Sequence, residues 1–506
     1  MKNIFFIAVI VCFISCNNNQ DLRDQLGEVR MDVSGTSKAK PLFEKGLLLL
    51  HSFEYEDARE AFQEAQKIDP EMPMAYWGEA MTHNHSLWSD QDFDEATKAL
   101  AELNNFEYQS ICSPVEQDLI DAVQILYQLK MNKPDRDVAY SEHMAKLTKK
   151  YPKNHEVAAF YALSLLGSVE EGRDDEIYGK GAVIAQGILK ENPKHPGALH
   201  YLIHSYDDPG HATMALDAAH AYAKIAPDAS HALHMPSHIF VAMGMWENAI
   251  ASNIDSYQAS LNRMTRKELD GDARGYHAFH WLEYGYLQNN QKEEAKALVQ
   301  KMKVFTEEKP SVRARVHMVY LKGTYLAETN EWNSEIAEIP VDISDLNISI
   351  RSQYYFLEGM RAYDNSEAIK LEDVIGVMEN DIDKESFVQA YGSTSVCSNV
   401  SREEATQTDL IESKIRLNQL KGLQANRNSS FTIAEEHFLK SIDLESSISY
   451  SYGPPRIQKP THEFYGDWLL GQKRYNEAND QYKLALKFAP KRRLAMIGIK
   501  NTQEYL

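Results

Sequence analysis

Histidine is the residue type in this chain whose spacing points to chemistry. There are 18 histidines. The densest group lies in Ala198-Leu199-His200-Tyr201-Leu202-Ile203-His204 and His231-Ala232-Leu233-His234-Met235-Pro236-Ser237-His238, with His277 and His280 further on. His200 and His204 are four residues apart, as are His234 and His238. On a helix that spacing brings two imidazoles to one side, a common way to hold a transition metal. Neutral imidazole suits Zn, Cu or Fe, and ligand type alone does not choose among them. A metal set of His200, His204, His231, His234, His238 and Asp208 is therefore expected. Asp208 would complete or orient it from one turn beyond His204. The same residues also suit a metal-free polar groove for a peptide or small acidic ligand, or plain structural hydrogen bonding.

These side chains can meet only if regular elements bring them to one face, and the chain carries an internal repeat that would do so. Gly46, Ala58, Phe62, Ala65 and Pro70 follow the two-helix pattern of a tetratricopeptide repeat (TPR), with small residues where helices cross and Pro closing the unit. Pro193 and Pro227 stand 34 residues apart, the length of that repeat. Leu199, Leu202, Tyr206 and Ala215 fall in register, as do Trp246 and Ala249, then Phe279, Leu282, Tyr286 and Ala295. Gly422, Ala434 and Phe438 mark a later unit, and Gly466, Tyr475, Ala478, Tyr482, Ala485 and Pro490 another.

The expected fold is all-α, a TPR-type solenoid of antiparallel helix pairs with an irregular joint in its second half. In that register the concave groove is lined by one face of each first helix. His200 and His204 take the fifth and ninth positions of the unit opening at Pro196, followed by Asp207 and Asp208. His231, His234 and His238 take the second, fifth and ninth positions of the next unit. His277, His280 and Tyr284 repeat that placement, and His317 opens the unit beyond. His51, His83, His85 and Trp88 reach the groove from the first two units. Pro236 breaks the local rule, since it removes a backbone donor inside the expected helix; a helix starting there would leave His231 and His234 in the preceding loop.

Lys2 and the apolar run Ile4 to Ile14 read as a signal peptide, too short to span a bilayer stably. Phe13-Ile14-Ser15-Cys16 resembles a bacterial lipobox, which makes Cys16 the lipidated residue and the membrane anchor. Asn17 in the next position fits sorting to the outer membrane, facing the periplasm. The expected organisation is signal peptide 1–15, lipidated Cys16 and polar tether 16–40, TPR array 41–335, irregular helical joint 336–406, and C-terminal TPR units 407–506. Cys112 and Cys397 are the cysteines left beyond Cys12 and Cys16, enough for one pair and no disulfide framework. A net charge of −21 repels phosphate backbones, so no nucleic acid partner is expected. No Gly-rich phosphate loop and no His-Glu-x-x-His pair occurs. Ser237 and His238 are consecutive, so a helix would point them apart rather than pair them as nucleophile and base.

Several segments resemble a bacterial family of TPR proteins: His51-Ser52-Phe53-Glu54-Tyr55, Ala75-Tyr76-Trp77-Gly78 through Asn84-His85 to Leu87-Trp88, and Ala198 to Pro209. The most specific is His231-Ala232-Leu233-His234-Met235-Pro236-Ser237-His238-Ile239-Phe240, and Gly453-Pro454-Pro455 is similar too. Ser86 departs from the family, which has Pro there. The resemblance implies the solenoid fold and places His51, His85, His200, His204, His231, His234 and His238 in a shared pattern, without assigning a reaction. Three functions are compatible with these residues: transition-metal handling or a metal-dependent reaction in the envelope, a metal-free scaffold docking a peptide or protein, and a groove filled by the tether or the C-terminal region. Spacing alone does not separate an enzyme's open coordination position from a closed site.

Overall fold

The computed structural model describes residues 25–88, 90–170, 172–391 and 405–506. The expected signal peptide, Cys16 and Cys397 lie outside the described residues. The chain is an all-α, TPR-type solenoid: helices run in consecutive antiparallel pairs, and the only strands among the described residues are Asn84–His85 and Asp90–Gln91, paired antiparallel. None of the described helices is long and apolar enough to cross a membrane.

Complementary sizes set the repeat. The Phe62 ring, wholly buried, lies between Gly46 and Gly78, where an added Cβ would come within 2.7 and 2.4 Å of it. Tyr482 sits in the same way between Gly466 and Gly498, and Phe438 against Gly422. Each aromatic ring thus locks the helices before and after its own, and burying one contributes about 1.5–3 kcal/mol. Asn290, Ser429 and Lys473 take left-handed backbone in the turn that joins the two helices of a pair.

The irregular stretch is shorter than the sequence pattern implies. Between the helices Val312–Thr329 and Ile348–Asp364 the chain makes turns, and Ile336, Ile339, Val341, Ile343 and Leu346 are buried there. The alternating apolar residues mark a packed loop, after which Ile348–Asp364 and Ala368–Tyr391 form an ordinary helix pair.

The solenoid curls onto itself. Glu54, after the first helix, accepts from Ser230 and from the His231 backbone N–H at 3.0 and 2.9 Å. Arg263 pairs with Glu56 and Asp57, and Lys267 with Asp57 and Glu60. At the other end Arg492, wholly buried, pairs with Glu463 and Glu328 and donates to Tyr284. The segment between the helices Phe431–Ser446 and Thr461–Gly471 crosses the concave side as a strap. Arg416 donates to the Arg456 carbonyl and Gln419 to the Lys459 carbonyl, while Gly453 lies where a Cβ would fall 2.2 Å from Trp281.

Candidate metal centre

Two short helices and their neighbours build the centre. Pro196–Ser205 carries His200 and His204, with Pro at its first position and the His195 side chain accepting from the Ala198 N–H as its cap. The next first helix is split. Ser230–His234 is followed directly by Pro236–Ala242, and Met235 between them keeps helical dihedrals. Pro236 therefore starts a second piece without displacing His231 and His234 into a loop, and His234 and His238 stay on one side across the break.

The rings close into a circle. Centroids of His200 and His204 are 4.9 Å apart, His204 and His238 5.2 Å, His238 and His234 5.0 Å, His234 and His231 6.0 Å, and His231 and His200 5.0 Å. His200, His204, His234 and His238 are buried, and His231 is partly exposed. His277, exposed, rests against His234 with centroids 4.6 Å apart.

The partners of the ring nitrogens fix their orientation. His200 Nδ1 donates to the His51 carbonyl at 2.7 Å. His234 Nδ1 donates to Asn253 Oδ1 at 2.7 Å, and the Asn253 amide is itself held by donating to the Ala249 carbonyl. His204 and His238 both turn Nδ1 to one oxygen of Asp207, at 3.3 and 3.0 Å. With Nδ1 engaged in all four rings, Nε2 is the free nitrogen. His200 and His231 bring their Nε2 atoms to 3.2 Å, as do His234 and His238, while His204 Nε2 is buried with no hydrogen-bond partner among the described residues.

Burial holds His200 and His234 well below the ordinary histidine value of 6.5, and the neighbouring imidazoles add to this. Those rings are neutral, so their Nε2 atoms present lone pairs. Between His234 and His238, whose Nδ1 atoms both donate, two lone pairs face at 3.2 Å and repel unless a cation lies between them; His231, whose tautomer is not fixed, can instead donate from Nε2 to His200. Ligands of one tetrahedral ion with metal–nitrogen bonds of about 2.0–2.1 Å stand about 3.3–3.4 Å apart. Burial alone would raise the Asp207 carboxyl, but the hydrogen bonds from His204 and His238 outweigh it and bring it down to about 2. Asp207 is therefore an anion, fixed on its other oxygen by Arg173 at 3.2 Å.

Asp208 differs from its expected place. The helix ends at Ser205, so no further turn carries Asp208 back beside His204. It pairs instead with Arg173 at 2.9 Å and His211 at 2.8 Å, in a separate group with Asp175, and Asp207 takes the orienting position. His51 is wholly buried rather than lining an open groove: its ring binds Glu156 and Tyr201, and its carbonyl orients His200. His85 binds Asp90 and packs on Tyr55, while Trp88 packs on Phe53 and on His231. His83 is buried away from the ring circle, and burial lowers it to about 4. His280 binds Thr324, and Tyr284 is buried against Arg492. Groups that the sequence reading left out are Asn253, Trp281, stacked on His238 at 4.6 Å, and Tyr452, 4.8 Å from His238. Phe53 is another. It takes the left-handed turn position (φ 55°) that Asn, Ser or Lys fills elsewhere, and its ring lies 4.2 Å from His200. A bulky residue there carries backbone strain, and its ring walls the site.

Comparison with known proteins finds the repeat. A family model for the tetratricopeptide repeat matches residues 39–72. Among solved structures, the human IFIT1 dimer with m7Gppp-AAAA is similar over 97% of this chain and 95% of its own, at 12% identity and a TM-score of 0.35. Yeast Tom70 is similar over 92% and 89%, at 11% identity and a TM-score of 0.32. The APC/C hetero-tetramer Cut9-Hcn1 gives 94% and 77%, 13% identity and 0.36. No curated protein matches the chain.

Proposed function

We propose that this TPR-type scaffold binds a transition metal, Zn, Cu or Fe, through the Nε2 atoms of its histidine circle, for metal handling or a metal-dependent reaction. One observation carries the reading: four buried imidazoles have Nδ1 tied to a fixed acceptor, and Nε2 contacts of 3.2 Å match the spacing of nitrogens on one ion. Metal-bound histidine nearly always donates its second nitrogen to a carbonyl or carboxylate in this way. Cys16 anchors the protein by lipid at the outer membrane, facing the periplasm. A TPR scaffold is also consistent with protein–protein interaction. The strap packs Tyr452 on His238 and Gly453 on Trp281, so a peptide or protein partner would meet the strap at that part of the histidine face.

The test is elemental analysis of the full chain, made without an affinity His-tag, beside a His200→Ala/His234→Ala variant. Near-stoichiometric Zn, Cu or Fe that disappears in the variant supports the site. A wild type that neither contains nor takes up any of them overturns it. Radiolabelled fatty acid lost on Cys16→Ser would support the anchor, and unchanged labelling would remove it.

A further inference from the structure

The histidine circle is not one set of ligands but two copies of the same set. In each, a first helix supplies two histidines four residues apart, at the fifth and ninth positions of its repeat, and the following repeat supplies a third from its second position. The first copy is His200, His204 and His231; the second is His234, His238 and His277. Within each copy one nitrogen from every residue lies within 4.8 Å of the other two. Each copy also contains one Nε2 pair already at 3.2 Å, His200 with His231 and His234 with His238. The next repeat offers the same three places to His280, Tyr284 and His317. Its ninth position is a phenol committed to Arg492, and His280 is committed to Thr324. The series of three-histidine sets therefore stops at two.

We propose that the centre holds two transition-metal ions, one in each set, side by side across the wall formed by His204 and His238. This rests on the metal-binding reading above and adds its stoichiometry and architecture. A single tetrahedral ion takes four ligands, whereas six imidazoles in two groups converge here. Asp207 serves both sets, since one of its oxygens faces His204 of the first and His238 of the second. Each ion has three protein ligands, the number found in sites that keep a fourth position for an exogenous ligand. Phe53, Trp281 and Tyr452 pack against the rings, so apolar side chains wall the sets on those sides.

The experiment uses the untagged full chain, saturated with Zn(II), freed of excess ion and analysed for metal per chain, with His231→Ala and His277→Ala beside it. His277 is exposed and His231 partly so, and far-UV circular dichroism checks that both variants fold. The expected result is two Zn per wild-type chain and one in each variant. Cu(II) loading gives a second measurement: two neighbouring ions reduce the electron paramagnetic resonance intensity below that of two isolated Cu(II), and either substitution restores the spectrum of a single uncoupled ion. One Zn per wild-type chain overturns the two-ion proposal and leaves the metal-binding reading standing. No Zn overturns both. Two Zn per chain in wild type and in both variants also overturns the proposal, because the ions then lie elsewhere.

Discussion

Replacing Asp207 by Asn tests whether the carboxylate orients the proposed metal ligands. One Asp207 oxygen accepts from His238 at 3.0 Å and His204 at 3.3 Å, while the other faces Arg173. An Asn amide offers one neutral acceptor oxygen and one NH2 group: with the oxygen towards the rings, both imidazoles keep only a weaker, uncharged acceptor while the NH2 opposes Arg173, and with the amide reversed both rings lose their acceptor. Loss of such a supporting partner typically costs tenfold to a hundredfold in metal affinity, about 1.4–2.7 kcal/mol. Two of the proposed ligands share this one carboxylate, which places the expected loss towards the upper end. The carboxyl also stabilises the fold. Because its value falls from 3.8 to about 2 on folding, its contribution is present above the ordinary carboxylate range and disappears as pH falls through about 2. That contribution is about 2 kcal/mol, so at neutral pH the variant melts a few degrees lower but remains folded. Affinity is measured by competition with a chromophoric chelator for Zn(II), on samples checked by circular dichroism. Asp208→Asn is the control, since Asp208 pairs with Arg173 and His211 outside the circle. A folded Asp207→Asn protein with unchanged affinity, or an equal loss in Asp208→Asn, would refute the reasoning.

Three further outcomes are expected. Tyr452→Ala removes the ring that lies 4.8 Å from His238 and 6.0 Å from His204; because Tyr452 is not among the nitrogen ligands, Zn(II) release to excess chelator should quicken several-fold while equilibrium affinity changes little, and an unchanged release rate would show that the strap does not cover the path. Glu156→Gln removes a wholly buried carboxylate that accepts from His51 at 2.8 Å and lies 3.2 Å from His195; burial would raise that carboxyl, but the two histidines hold it far below its ordinary range. Breaking the pair should cost about 3–5 kcal/mol, read as a fall in the urea midpoint at pH 7, and an unchanged midpoint would contradict it. Burial first, and then the charge of Arg59, lower His83 from 6.5 to about 4, so the unfolded chain binds the proton first on acidification. The metal-free protein should lose roughly 2–3 kcal/mol between about pH 6.5 and 4 from this group, and His83→Gln should flatten that part of the urea-midpoint curve; an unaltered curve would exclude the contribution.

What was legible in the sequence was what backbone periodicity controls. Four-residue spacing set His200 with His204 and His234 with His238, and the TPR register put both pairs and His231 on neighbouring faces. Gly46 and Phe62 announced the first crossing that holds this register, while Gly78, on the far side of the Phe62 ring, was not singled out as a crossing. Where the helix stops was harder to read. With the helix ending at Ser205, Asp207 rather than Asp208 reaches the imidazoles. Asn253 escaped notice because it sits on the second helix of its pair, and a lone Asn there carries no periodic signal. The His51 carbonyl could not be found from residue type at all, since any residue has one. Pro236 was legible as an irregularity, but its result, two helical pieces that keep His234 and His238 aligned, depends on the dihedrals of Met235.

The long-range part was illegible for a different reason. A solenoid's stability is approximately a sum over neighbouring repeats, and a local pattern describes such neighbours well. The superhelix curvature accumulates over many small rotations, and it decides whether distant repeats touch. In this chain they do: the first repeat supplies Phe53 and the His51 carbonyl, the middle repeats supply the histidines, and the C-terminal strap supplies Tyr452. Arg492 with Glu328 and Glu463, and Glu54 with the His231 backbone, fasten that closure at separate points. A metal held by the circle binds the closed form and not the unfolded chain, so by linkage it stabilises the whole curled array, including repeats that supply no ligand. Closure in turn orients His200 through His51, which means that the binding site and the superhelix are stabilised by the same contacts.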